Sequence, residues 1–206
     1  MIVLIPLAVF LIFVAVLNIA IKKSDYAQKN VEQLFWDREQ KANFTRRKDI
    51  SGLDYLTIPT EKIPQNLHTE AENALVRLSE CRMLNLTGMT NTDLKLEYGA
   101  ANLEELSTYD NNFTNFVQNI TVYTKELLDA GQTDDARELL ELAVSYHADA
   151  SPIYTRLADI YQETGQTDKI ENLIQSAEEI NSLSKNIITG KLKTYLAEET
   201  QTEQET

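Results

Sequence analysis

The chain opens on an uninterrupted apolar stretch, IVLIPLAVFLIFVAVLNIAI from Ile2 to Ile21, and nothing later in it has that texture. From residue 22 onward apolar residues recur every three or four positions between polar ones, the period of helices with one buried face. The opening run holds no charge, and as a helix it would rise about 30 Å, the thickness of a hydrocarbon core. It predicts a transmembrane anchor over residues 1–21, with Pro6 near the helix start, where a missing N–H is tolerated. Residues 22–49 follow as a juxtamembrane helix with Ala27, Val31, Leu34, Phe35 and Trp36 toward one side. Gly52, Pro59 and Pro64 interrupt the period, so 50–66 reads as a connector, laid against the body by Leu53, Tyr55 and Ile58. Leu67, Ala71, Leu75 and Leu78 predict a helix to about 86, ended by Gly88. A second, from about 92 to 109, carries Gly99 in its middle, and YDNN at 109–112 is its closing turn. Together they form an N-terminal helical cap over 67–116.

Beyond the cap the chain repeats itself. GQTD occurs at 131–134 and again at 165–168, an offset of 34 residues. At that offset Val117 pairs with Ser151, Ile120 with Tyr154, Tyr123 with Leu157, Leu127 with Tyr161, Leu140 with Ile174 and Ala143 with Ala177. Each unit reads as an amphipathic helix, a glycine able to take positive φ, a Thr/Asp N-cap and a second amphipathic helix. Ser151-Pro152 adds a further helix start. This places repeats at 117–150 and 151–184, a C-terminal capping helix at 185–197 through Ile187, Ile188, Leu192, Tyr195 and Leu196, and an acidic disordered tail at 198–206. The fold class is all-α: an N-terminal transmembrane helix, then a helical-hairpin repeat array with flanking capping helices.

Charge sharpens this picture. Acidic residues outnumber basic ones 32 to 19, a net −13, so nucleic acid is excluded as a partner. The imbalance is uneven: residues 22–48 carry eight basic side chains against four acidic, and −13 less +4 leaves −17 for the rest. Every Lys and Arg near the apolar run follows it, beginning with Lys22 and Lys23, which predicts a single-pass protein of the cell membrane with its soluble body in the cytoplasm. Lipid, the body and a second copy, the last giving a homo-oligomer, are the candidate partners for the apolar side of the juxtamembrane helix; the alternative is a solvated stalk.

Catalytic chemistry is sparse. His68 and His147 are the only histidines, 79 residues apart, and Cys81 is the only cysteine. There is no HExxH, CxxC or glycine-rich phosphate loop, so the expectation is no enzyme, no cofactor and no metal. HTEAE at 68–72 reads as a helix start with solvated glutamates, and Cys81 as a small filler on a helix.

The period and pattern resemble the tetratricopeptide repeat family. The family's spaced positions stand here as Ile120, Tyr123, Leu127, Gly131, Ala136, Leu140 and Ala143, then as Tyr154, Leu157, Ala158, Tyr161, Gly165, Ile174 and Ala177. Thr124 departs from its small residue, Ile170 from its helix-B alanine, and Ala148 and Ser182 from its terminal proline. The resemblance implies a concave partner-binding face made by Gln118, Thr121, Lys125, Leu128, Thr155, Arg156, Asp159 and Gln162. Some family members clamp a C-terminal carboxylate with Lys/Asn/Arg; the matching Thr121, Lys125, Thr155 and Asp159 do not reproduce that clamp. The implied function is a membrane-anchored adaptor or scaffold with a protein partner. Its rival is a structural subunit of a membrane complex, held through the transmembrane helix.

Overall fold

The computed structural model describes the backbone of residues 4–204 and the side chains of residues 10, 13, 14, 16–26 and 28–197. Among them the regular elements are helices, joined by turns and irregular segments, with one isolated antiparallel bridge between Leu56 and Met83. It divides into two compact units, one of residues 1–48 with 91–102, the other of residues 49–90 with 103–206.

The first unit is a pair of helices, α1 (Leu4–Asn43) and α3 (Asn91–Tyr98), with a 3-10 turn at Ala100–Asn102. The boundary expected between residues 21 and 22 is absent: α1 runs unbroken from Leu4 to Asn43, no glycine or proline interrupting it after Pro6, and it ends six residues short of the helix expected to reach 49. Among the described residues no helix is long and apolar enough to cross a membrane. The expected span at 2–21 falls largely outside the described side chains. At its far end α1 grips α3: Glu39 accepts from Lys95 and from the Thr92 hydroxyl at 2.6 Å, and Arg38 pairs with Asp93 at 2.5 Å. These bonds hold the Glu39 carboxyl below its ordinary range, Lys95 contributing most and Thr92 next.

Gly99 is not mid-helix, as its sequence context suggested, but ends α3. Its φ is +92°, and an added Cβ would collide with the backbone of Arg46 and Arg47. The wholly buried Asn102 fastens the same segment. Its amide donates to the carbonyls of Lys48 (2.8 Å) and Tyr98 (2.7 Å), and its oxygen accepts from Arg47 Nε at 2.7 Å.

The second unit is the helical array: α2 (Glu70–Ser79), α4 (Leu103–Asp129), α5 (Thr133–Ser145), α6 (Ser151–Glu163), α7 (Asp168–Glu178) and α8 (Ser184–Gln204). Helix α2 packs on α4, α4 on α5, α5 on α6 and α7, α6 on α7, and α8 on both α6 and α7. Tyr123, Tyr154, Phe116, Leu139, Leu140 and Leu157 fill one continuous core.

Three expectations fail here for local reasons. The first cap helix stops at Ser79, because Met83 exchanges backbone bonds with Leu56 and the Leu84 N–H reaches the Tyr109 carbonyl at 3.2 Å. Cys81 is therefore off the helix. YDNN is no turn but lies inside α4, where its polar residues are absorbed: Asn112 donates to the Arg82 carbonyl at 3.0 Å and Asp110 accepts from the Leu86 N–H at 3.2 Å. And α8 continues to Gln204 over most of the expected tail, whose Glu and Gln are good helix formers.

Residues 50–66 lie against the helices of the second unit. Leu56 pairs with Met83, Ile58 and Ile63 are buried, and Tyr146 donates to the Thr57 carbonyl at 2.6 Å.

Candidate partner-binding face

The two GQTD segments close two identical turns. The Gln132 N–H bonds the Leu127 carbonyl at 2.8 Å and the Gly131 N–H bonds Leu128 at 3.0 Å. One repeat later Gln166 bonds Tyr161 at 2.7 Å and Gly165 bonds Gln162 at 3.2 Å. With φ of +75° and +68° at the glycines, each is a Schellman motif, which satisfies helix-end carbonyls and turns the chain back for the next helix. A third closes α5, with His147 (φ +53°) in the glycine position and bonds from His147 to Val144 and from Ala148 to Ala143.

The expected Thr/Asp caps are not made. Thr133 and Asp134 already belong to the first turn of α5, and neither α5 nor α7 has a side-chain cap bond. The acids there lie next to unpaired N–H groups at a positive helix end. Ser151 is likewise the first residue of α6 and not its cap.

Arg156 of α6 reaches across to α4, and these two helices carry the eight residues expected to line the face. Gln118, Lys125, Asp159 and Gln162 are exposed; Thr121, Leu128, Thr155 and Arg156 are half-buried. Lys125 forms a local ion pair with Asp129 at 2.5 Å. Arg156 crosses between helices, donating to the Thr121 carbonyl and to the Thr124 hydroxyl at 3.3 Å. Burial lowers its proton affinity, with Asp129 opposing. Thr124, the departure from the family pattern, is fully buried and satisfied, donating to the Ile120 carbonyl at 2.7 Å while accepting from Arg156. The larger residue is thus matched by a cross-helix partner.

Helix α8 adds a third helix beside α6, in the place where the first helix of another repeat would stand. Ile188 and Leu192 are completely buried. Tyr195 donates to Asp159 at 2.6 Å, and Lys191 to the Ser151 hydroxyl at 3.1 Å. Asp159 is therefore engaged within the chain, whereas Gln118, Lys125 and Gln162 carry the outward-facing polar groups of the set.

Sequence reading missed a polar junction at the other end of the array. Glu72, expected to be solvated, is only 3% exposed; its carboxylate accepts from the Leu67 and His68 N–H groups at 2.9 and 3.0 Å and from the Tyr123 hydroxyl at 3.2 Å. Thr69 caps α2, accepting from the Glu72 N–H at 3.2 Å and donating to Glu126 at 2.7 Å. The signal was present as Thr-x-x-Glu, the capping-box spacing. Beside it runs a groove of ≈ 590 Å³ between α2 and α4, lined by Ala71, Ala74, Leu78 and Val122 with Arg77 and Glu126 at its edges. Among the described residues no group of three or more His, Cys, Asp or Glu is placed to hold a metal ion.

Residues 127–182, from the last turn of α4 through α7, match the tetratricopeptide repeat family. No curated protein and no solved structure matches the chain. The matched segment starts at Leu127, so it includes all three Schellman turns and leaves most of α4 and all of α8 outside it. Repeats of this family are typically non-enzymatic modules of protein-protein interaction.

Proposed function

We propose that this chain is a membrane-tethered helical-repeat adaptor, which holds a protein partner near the bilayer on the face made by α4, α6 and α8. The observation that carries the reading is the pair of Schellman-closed hairpins coinciding with the family match at 127–182. Stacked hairpins present successive first helices along one surface, and such surfaces bind extended or helical segments of other proteins. The uncharged run from Ile2 to Ile21 supports the tether, and the Lys and Arg residues that follow it support a cytoplasmic body. Tethering raises the partner's effective concentration without a tight groove.

Lys125, Gln118 and Gln162 are the contact residues of choice, since Arg156 and Asp159 are engaged inside the unit. Lys125→Glu combined with Gln162→Glu is expected to deplete specific proteins from those that co-purify with the full chain, while its thermal midpoint stays unchanged. Unaltered recovery of every co-purifying protein would remove this face from consideration. Exchanging residues 2–21 for an unrelated anchor separates the adaptor from its rival: an adaptor keeps its partners, a structural subunit held through its transmembrane helix loses its complex.

A further inference from the structure

Large apolar side chains do not stop where the apolar run stops. Val31, Leu34 and Phe35 are all more than half exposed on α1, at 68%, 69% and 54%. They sit ten to fourteen residues past Ile21, about 15–21 Å further along a helix rising 1.5 Å per residue. Headgroup regions add only about 5–8 Å per side to the hydrocarbon core, so lipid reached from the anchor does not cover them.

Their spacing indicates what does. Alternate steps of four and three, the heptad spacing, link Phe10, Phe13, Leu17, Ala20, Ser24, Val31 and Leu34, the intervening 27 being an alanine. Calling Ser24 and Val31 a, and Ala20 and Leu34 d, the a, d and e positions hold no charge from residue 10 to 35. Lys22, Lys23, Asp25, Lys29 and Glu32 all fall at b, f or g. Charge is thus confined off the line of a and d positions, the arrangement a coiled-coil seam requires. The seam ends at the next a position, where Arg38 is turned to Asp93 of α3.

We infer that the seam of α1 is covered by the α1 of a second copy of this chain, in a parallel two-stranded coiled coil. Three features select a second copy. β-Branched Val31 at a followed by Leu34 at d is the pairing that favours two strands. The small Ala20 and Ser24 allow close approach of helix backbones where the apolar run ends. The flanking g-to-e′ pairs of a parallel, in-register dimer are Lys23 with Gln28 and Asn30 with Phe35, so no like charges oppose each other. This deepens the proposed tether by naming the partner of its helix, and a shared anchor would set two copies parallel.

The test is a cysteine scan of the full chain in native membranes, in a Cys81→Ser background with a mild oxidant. Disulfides need Cα atoms within about 7 Å, which seam positions satisfy and outer positions do not. Ser24→Cys, Val31→Cys and Leu34→Cys are expected to shift the 23.4 kDa chain to a band of twice that mass. Asp25→Cys, Lys29→Cys and Gln33→Cys stay monomeric. A shift at all six positions, at none, or to an adduct of another mass overturns the inference. The same samples are fractionated, so that membrane-bound chain without cross-links refutes the dimer alone, and cross-linked chain in the soluble fraction refutes the tether alone.

Discussion

At the scale of single residues, the array depends on a few positions whose backbone or hydrogen bonds admit no substitute. Gly131 and Gly165 have positive φ and open space around an added Cβ, so alanine there meets only the left-handed backbone penalty. Gly131→Ala and Gly165→Ala should each cost about 1–2 kcal/mol, measurable by denaturant titration. Gly99→Ala adds a collision with the Arg46 and Arg47 backbone to the same penalty and should lose more. Glu72→Ala removes the acceptor of the part-buried Leu67 and His68 N–H groups, while the Tyr123 hydroxyl keeps the Pro64 carbonyl; losing a partner costs up to about 1–3 kcal/mol for a buried group, and denaturant titration should show a loss toward the lower end.

Two carboxylates should give stability opposite dependences on pH. Glu39 has its pKa lowered in the fold, so its contribution is present above its ordinary 4.5 and is lost as pH falls through the depressed folded value. Amide exchange in α3 should accelerate on acidification through that window, and Glu39→Gln should remove the dependence. Asp110 is raised, burial outweighing the Leu86 N–H, so its ionisation opposes folding above its ordinary 3.8. Asp110→Asn should therefore raise the midpoint at neutral pH and leave it unchanged well below 3.8.

At the scale of elements, α8 completes the array. Ile188→Ala or Leu192→Ala empties a fully buried site, a change that typically costs 2–5 kcal/mol, and calorimetry should show the loss. The repeats were legible because their signals are local: a glycine beyond a helix end and apolar residues every three or four positions suffice to place α5, α6 and α7. Less local features escaped. Periodicity alone could not say that α2 ends at Ser79, since the bond partner of Met83 is Leu56, 27 residues earlier. Nor could it show that YDNN continues a helix, because the Leu86 N–H and Arg82 carbonyl that satisfy it lie in a distant loop. For the candidate face, spacing could name positions only. That Arg156 ties α4 to α6 and Asp159 binds Tyr195 depends on packing that no spacing encodes.

At the scale of the whole molecule, charge is segregated along the chain, with +4 over residues 22–48 and −17 over the remainder. A basic segment beside an anionic leaflet is drawn toward it at about 1 kcal/mol per residue near the surface, while an acidic body is repelled. The proposed cytoplasmic orientation predicts that a Thr206→Cys label in a Cys81→Ser background is protected from an impermeant thiol reagent on intact cells and reacts on lysis. Labelling without lysis would reverse the orientation.

The connector also imposes an order on synthesis. Thr57 waits for Tyr146, 89 residues later, and Thr87 for Asn181, 94 residues later. At a translation rate of about 5–20 residues per second these gaps last roughly 5–20 s. During that interval Ile58, Ile63 and Met83 have left the ribosome before the helices that cover them exist. The nascent chain thus offers these apolar residues uncovered, and a folding helper that engages residues 50–90 would act there, releasing them only when α5 arrives.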